Sequence, residues 1–559
     1  MLRVFVLAIL ILAAWKPVLA QDISQIDKIF SSFDDAAKRG CAVGIYSAGK
    51  VLARAYGAAD LERGVPLSPG SVFYTASTAK QFTAASIWLL VKDGKLGLDD
   101  DVRKYIPELP AYEKPITIGN LLYHTSGLRD YTDLLQLAGR GSEEVSTNAD
   151  IVSLTVRQKK LNYPTGTRYQ YTNTNYVLLA EVVKRVSGQT LKDFARTRIF
   201  EPLGMNSTQF VDDPVKVIPR RAVGYLAKGK GEYTLVLNNA VRNGPAGLYT
   251  TVEDLGKWNQ NFVNPTVGSA ALLHDMERPG RLTDGTVTDY ASGIMIAQYK
   301  GLPVLRHSGH TPGFRAEFLR FPDKDLGVAV LCNNSVESRP ERLGEQVADL
   351  YLADQLKPNA PAQTPPPGQP QTPIVSPDQL KSSLGDYWNP STGEVRQLVI
   401  RNGQPVYVID TWSRARLTAV DSTHFRFGRN EIVVAGASPN RTLTLKWADG
   451  RVEQYQELTR AKLNSSQLAK YSGRYYSAEL DTVYELAPKG SALVLKRRNQ
   501  EDMELLPTVR DSFSEGSIRI KFSKLKTGQS VFAFSEGDVS DVGFVSDCRQ
   551  ADSLPRNNH

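Results

Sequence analysis

Tyr74-Thr75-Ala76-Ser77-Thr78-Ala79-Lys80-Gln81-Phe82-Thr83 leads into an apolar run, Ile87 to Val91, that stops at Asp93-Gly94. A glycine just past the last apolar residue is a helix-stop signal. Residues three apart on a helix share a face, with Cβ atoms about 5–6 Å apart. The spacing therefore predicts Ser77 in the first turn of a helix, with the Lys80 amine beside its hydroxyl. Serine is a weak nucleophile and needs a base. An amine that is desolvated, or close to another cation, gives up its proton more easily and can serve. The start of the same helix presents unpaired N–H groups that favour negative charge. One turn of chain thus offers nucleophile, base and part of an oxyanion site.

The spacing alone does not decide, because Ser-x-x-Lys recurs at Ser47-Lys50 and Ser523-Lys526. The first of these reads as a hairpin turn and the second as a basic strand-and-turn stretch. Only Ser77 opens a helix among small residues. Outward from it, 24–38 reads as a helix (Ile26, Ile29, Phe30, Phe33), and 42–59 as a hairpin turning at Ala48-Gly49. Helix and loop patterns fill 76–265, strands return at 303–307, 314–321 and 326–332, and a last helix covers 340–355. Strands at both ends with helices between predict one antiparallel sheet flanked by helices, an α/β (α+β) domain.

Two further stretches carry chemistry. Tyr169-Gln170-Tyr171-Thr172-Asn173-Thr174-Asn175-Tyr176 precedes an apolar helix that stops at Ser187-Gly188. Asn173 or Asn175 could serve only as a helix cap. Tyr171 and Asn173, two apart in extended chain, point to one side, and a phenol near cations can lose its proton and accept one from a serine. Leu305-Arg306-His307-Ser308-Gly309-His310-Thr311-Pro312-Gly313-Phe314 reads as a strand ending in a turn. Gly309 leaves room for a substrate to lie along that edge and take backbone hydrogen bonds. His307 is either a buried structural histidine or, given its small neighbours, one facing a cleft.

At 559 residues the chain exceeds one core, and roughly 100–200 residues per domain predicts about three domains. Residues 1–20 read as a secretory signal: Arg3, an apolar core from Val4 to Trp15, and Val18-Leu19-Ala20 before Gln21. Its removal takes the formal charge from +8 to +6, and the remaining Lys and Arg are scattered, which argues against a nucleic-acid surface. The expected location is the periplasm or the exterior, with no membrane span. The three cysteines, Cys41, Cys332 and Cys548, cannot all pair, and neither they nor the six histidines show metal-ligand spacing. No cofactor or metal is expected.

Domain 21–356 is followed by a proline-rich linker, 357–377, stiff and without charge from Pro358 to Pro377. Short alternating runs separated by Asn-Gly and Asp-Gly turns then predict an all-β region. A faint repeat aligns Asp378-Gln379-Leu380…Tyr387 with Ser466-Gln467-Leu468…Tyr475. It predicts two small antiparallel barrels or sandwiches, 378–462 and 463–559. Few contacts should cross such a linker, so a chain ending near residue 357 is expected to fold alone.

The ordered motifs Ser77/Lys80, Tyr171/Asn173 and His307/Gly309 resemble those of the serine β-lactamase and penicillin-binding protein superfamily, specifically its class C branch of D-aminopeptidases, D,D-carboxypeptidases and esterases. Leu121-Leu122-Tyr123-His124-Thr125-Ser126-Gly127-Leu128, Ile199–Met205 and Pro245–Thr251 match connecting stretches of that superfamily. The resemblance covers about 22–355. It implies that Ser77 forms an acyl-enzyme, that Lys80 and Tyr171 jointly move its proton, that His307 is catalytic, and that the N–H groups of Ser77 and His310 hold the oxyanion. Asn173, Gly309 and His310 are the implied substrate contacts. A small molecule or peptide is the implied substrate, and the β modules are candidates for contact with the cell envelope. His307 departs from the β-lactamase pattern, which has lysine there. A mostly neutral imidazole suits a substrate carboxylate less well and favours esters or otherwise engaged peptides, unless Arg306 and Arg315 restore a positive field. The two β modules also resemble the D-aminopeptidase layout, in which a module loop lines the cleft. The superfamily's sheet order puts Cys41 beside Cys332, read as two small buried apolar side chains in preference to a disulfide.

Overall fold

The structure, a computed structural model, describes residues 23–546 apart from 36–37, 142–143, 230, 238–239, 336–337, 357–375, 410–413 and 448–449. The expected signal segment, most of the linker and Cys548 lie outside the described residues.

The first domain is built on a six-stranded antiparallel sheet. Its strands are β1 (Cys41–Ser47), β2 (Lys50–Tyr56), β3 (Met295–Tyr299), β4 (Leu302–Thr311), β5 (Phe314–Phe321) and β6 (Leu326–Cys332). Their order is β3-β4-β5-β6-β1-β2, so the two ends of the domain meet in the middle of the sheet. The β1–β2 turn has Ala48 at φ 51° and Gly49 at φ 71°, the left-handed pair that a two-residue hairpin favours. Pairing of Cys41 with Cys332 in the β1–β6 register brings the two sulfurs together, and they form a disulfide. This corrects the reading as unlinked thiols: directly opposed cysteines on adjacent strands put their Sγ atoms within bonding reach.

The principal helices are α1 (Ile23–Ile29), α2 (Lys80–Lys92), α3 (Tyr131–Leu137), α4 (Asn173–Ser187), α5 (Val252–Val263) and α6 (Pro340–Leu352). One sheet face (Val43, Ile45, Val328, Val330, Leu319) packs against α1 and α6 through Ile26, Phe30, Leu343 and Val347. The other face (Ala42, Ala316, Phe318, Ala329, Leu331) joins the large helical core around Phe82, Val177, Leu178 and Trp258. Helix α1 ends well before the expected residue 38. The Ser31 hydroxyl bonds back to the Lys28 carbonyl at 2.9 Å, an alternative to continued helix that serine offers.

After the linker, a nine-stranded antiparallel sheet is followed by a closed eight-stranded barrel. The edge strands of the nine-stranded sheet, Arg414–Arg416 and Thr418–Ala419, are joined by the single residue Leu417. The sheet must therefore curl until its edges nearly meet around Leu398, Phe425 and Tyr455. The repeat is real in the backbone. Ser376 with Gln379, and Asn464 with Gln467, each form a capping box on a short helix. Leu380 and Leu468 are both buried. The Tyr387 hydroxyl donates to the Ser383 carbonyl as the Tyr475 hydroxyl does to that of Tyr471. Among the described residues no helix is long and apolar enough to cross a membrane.

The linker does not separate independent bodies. The barrel docks on the first domain and shares one apolar cluster with it. At the centre of the contact Arg129 and Glu479 pair at 2.7 Å, their side chains 0% and 6% exposed. The Tyr484 hydroxyl donates to the Leu137 carbonyl at the end of α3. The expectation that few contacts cross the linker is corrected: the contact runs through the second module, far along the chain, and linker composition carries no information about it.

Candidate active site

Ser77 lies in a short 3-10 turn, Ala76–Ala79, that feeds directly into α2. Ala76 has φ 47°, a left-handed conformation that costs a non-glycine residue about 1–3 kcal/mol and persists only where its surroundings enforce it. The strain sits one residue before the hydroxyl. Ser77 and Asn173 share the wall of a cleft of about 510 Å³ with Tyr131, Arg242 and His310.

Lys80 is fully buried. Its Nζ donates to Ser77 Oγ at 3.1 Å, Asn173 Oδ1 at 2.9 Å and the Pro245 carbonyl at 3.0 Å. It also lies 4.6 Å from the Tyr171 ring centre and 5.6 Å from that of Tyr176. None of these partners is a carboxylate, and burial pulls its pKa down from 10.5 to about 7, with the charge of Asp130 opposing. Two of its three partners, the Asn173 and Pro245 oxygens, can only accept. The third is a hydroxyl. A neutral amine has two N–H bonds and one lone pair, so on losing a proton it can keep both oxygens and turn the lone pair to the Ser77 O–H.

Asn173 opens α4, and its amide is oriented by Asp130, whose Oδ2 accepts from Asn173 N at 2.5 Å and Nδ2 at 3.0 Å. Tyr171 reaches the same point and hydrogen-bonds Ser77, but burial raises its pKa above the ordinary phenol range and keeps it protonated. The extended segment before α4 therefore does turn Tyr171 and Asn173 toward Ser77, while the anionic form of Tyr171 is disfavoured.

His307 is 3% exposed, so the expectation that its small neighbours open it to a cleft is not met. Its Nδ1 faces the Ser308 carbonyl at 2.7 Å and its Nε2 the Tyr290 hydroxyl at 3.0 Å. A carbonyl can only accept, which fixes the proton on Nδ1 and makes Nε2 the acceptor. Burial, with Lys80 nearby, pulls its pKa down to about 3, so the ring is neutral. The small residue that misled serves another purpose: a Cβ on Gly309 would lie 2.1 Å from the Thr75 carbonyl oxygen. Gly309 lets β4 pack against the turn that carries Ser77 and leaves no room there for substrate.

Strand β4 runs through the motif to Thr311, paired with β5 to the end, and only Pro312-Gly313 forms the turn. Alternate residues of an antiparallel strand bond to each neighbour. The two-residue turn makes Thr311 and Phe314 a bonded pair, so Gly309 and His307 also bond to β5. The N–H groups of Ser308 and His310 then point to the opposite edge, where β3 pairs no further than Arg306. Ser77 and His310 line the same cleft. The His310 imidazole is turned away, bonded to Glu341 at 2.6 Å. Arg306 lies on the far sheet face, tied to Glu317 and Glu345, and Arg315 bonds backbone carbonyls; neither supplies a positive field beside Ser77.

Sequence reasoning passed over Asp130, the Pro245 carbonyl and Tyr290. Asp130 precedes the apolar pair Leu134-Leu135 and reads as a helix cap, which it also is. The other two Ser-x-x-Lys matches lie elsewhere: Ser47 ends β1, and Ser523 lies on a barrel strand. Among the described residues no three His, Cys, Asp or Glu side chains gather as a metal site needs.

The signature of the beta-lactamase family matches residues 26–352. Penicillin-binding protein 4* of Bacillus subtilis is 30% identical over 319 residues, 54% of this chain and 69% of that protein. The D-aminopeptidase of Gluconobacter oxydans is 28% identical over 330 residues, 56% of this chain and 62% of that protein, so less than two thirds of it is spanned. Among solved structures, the octameric penicillin-binding protein homologue from Pyrococcus abyssi superposes with a TM-score of 0.55 at 21% identity, over 78% of this chain and all of that one, a likeness of fold.

Proposed function

The chain belongs to the beta-lactamase family and is a serine hydrolase of that fold, and from that premise we propose that it is an exported enzyme that cleaves ester or amide bonds through an acyl-enzyme on Ser77. The observation that carries the mechanism is the Lys80 amine, buried, 3.1 Å from Ser77 Oγ and with a pKa near neutrality. Neutral Lys80 takes the hydroxyl proton as Oγ bonds to the substrate carbonyl carbon. The N–H groups of Ser77 and His310 receive the oxyanion, each such donor contributing about 2.7–4 kcal/mol in related chemistry. Tyr171, held protonated, passes a proton to the leaving alcohol or amine while Lys80 restores it. Water then repeats the sequence on the acyl-enzyme and frees Ser77.

The neutral His307 leaves no fixed cation at the position where a substrate carboxylate would bind in a β-lactamase pattern, which supports D-aminopeptidase- or esterase-like substrates over D-Ala-D-Ala peptides and β-lactams. A disulfide between Cys41 and Cys332 supports export, since such bonds persist in oxidising compartments. The test is a fluorophosphonate label followed by mass spectrometry, with turnover of a p-nitrophenyl ester, a D-amino-acid anilide, nitrocefin and a D-Ala-D-Ala peptide. The adduct is expected on Ser77, and Ser77→Ala should lose both label and turnover while its circular dichroism is unchanged. An adduct on another serine refutes the assignment.

A further inference from the structure

Asp130 takes part in none of these steps, yet among the described residues it is the carboxylate whose charge reaches Lys80. Its oxygens are fully engaged. Oδ1 accepts from Thr132 N at 2.8 Å and Thr132 Oγ1 at 2.6 Å, and Oδ2 accepts from Asn173 N and Nδ2. Four donors converge on a group that can only accept. The consequence for Asn173 is a fixed amide: Nδ2 on the carboxylate, Oδ1 on the Lys80 amine. Turned over, it would set NH2 against the amine and oxygen against oxygen.

The loop that carries Asp130 is held from both sides. Toward α4, Tyr131 N donates to Thr174 Oγ1 at 2.8 Å, and Thr174 Oγ1 donates to the Arg129 carbonyl at 2.7 Å. Away from it, the Arg129 guanidinium enters the barrel contact and bonds Glu479 and the Ser540 carbonyl. A continuous set of contacts therefore runs from the barrel through Arg129 and Asp130 to Asn173 and Lys80.

We propose that Asp130 is a positioning residue of the Ser77 reaction, holding Asn173 and the Lys80 amine in line with Ser77, and that the C-terminal barrel holds Asp130 in place through the Arg129–Glu479 pair. This rests on Lys80 being the base. The other groups facing Lys80 are Tyr171, Tyr176, His124 and His307. Burial keeps the two phenols protonated and the two imidazoles neutral, so Asp130 is the charge that counts. Around Asp130 stand Arg129, Tyr131 with Arg242 over its ring, and Asp133. Burial, with Asp130, Asp538 and Glu536 adding to it, raises the Asp133 carboxyl to about 7. Because Asp133 titrates where Lys80 does, the profile is read in an Asp133→Asn background.

The measurement is the pH profile of p-nitrophenyl acetate turnover by the full chain, per folded molecule by circular dichroism. Removing the negative charge makes protonated Lys80 less stable. The acid limb should therefore move to lower pH in Asp130→Asn and Asp130→Ala, while the plateau falls about 10-fold and about 100-fold respectively, no more than the low end of what positioned proton transfer contributes. A plateau that falls with the limb unmoved, or no change in either, overturns the role of Asp130. For the barrel, the paired replacement Arg129→Met with Glu479→Met keeps apolar volume at the contact. It should lower kcat about 10-fold with KM within about 2-fold, and the loss should not add to that of Asp130→Ala. Additive losses, or an unchanged kcat, overturn the barrel's part. Full turnover in Ser77→Ala would refute the proposed function itself, a different result from any of these.

Discussion

Glu479→Ala tests how firmly the barrel belongs to the first domain. In the intact chain Glu479 Oε2 accepts from Arg129 Nη1 at 2.7 Å and Lys159 N at 3.1 Å, and Oε1 accepts from Gly543 N at 3.0 Å. The arginine side chain is 0% exposed. Among the described residues, truncation leaves Arg129 the neutral Gln158 Oε1 and Ser540 carbonyl as acceptors. Removing one partner of a buried pair costs about 3–5 kcal/mol, because a desolvated charge is left without compensation. The two orphaned N–H groups each carry a penalty of about 1–3 kcal/mol where water cannot reach them. These losses overlap, so about 3–5 kcal/mol is the expected total. Removing both charges removes the desolvation cost as well, so Arg129→Met with Glu479→Met should recover at least about 2 kcal/mol of it. Native-state hydrogen exchange on the barrel strand Ser530–Glu536 reads the opening free energy of the docked module directly. A Glu479→Ala chain within about 1 kcal/mol of the parent, or a double variant as unstable as the two single losses combined, would show that the apolar contact alone docks the barrel.

The value of about 7 for Lys80 fixes a direction. The amine is charged and inactive as a base below that pH and neutral above it, so kcat/KM should rise through about 7 to a plateau, and Lys80→Arg, charged at every usable pH, should lose at least 10³-fold. Gly309→Ala should lower kcat by at least about 100-fold, because its Cβ meets the Thr75 carbonyl at 2.1 Å and the turn carrying Ser77 must shift. A rate within a few-fold of the parent would place that turn elsewhere. Reduction of Cys41–Cys332, which closes a sequence separation of 291 residues, should destabilise the first domain by about 2–4 kcal/mol in urea titrations with and without a phosphine reductant.

What could be read from sequence was what local spacing encodes. Ser77 and Lys80 share a turn, and Tyr171 and Asn173 share an extended segment, so their convergence needed only the two helices to be set side by side. The sheet order implied by the family resemblance made Cys41 and Cys332 neighbours, but whether thiols bond depends on opposition in register, which no pattern along one strand carries. Gly309 and its small neighbours were legible as a place of close approach, and the error lay in assigning that space to substrate. Composition says that something comes near, and the Thr75 carbonyl is a contact across 234 residues. Asp130 was hidden for a different reason: a helix cap already accounts for an aspartate at that position, and only one of its oxygens is needed for the cap. The other serves Asn173. Arg129 and Glu479 are the extreme case, 350 residues apart, each reading alone as an ordinary solvated charge. The burial that makes the pair decisive belongs to the docked assembly, so the coupling of the barrel to Lys80 is a property that no stretch of this chain carries by itself.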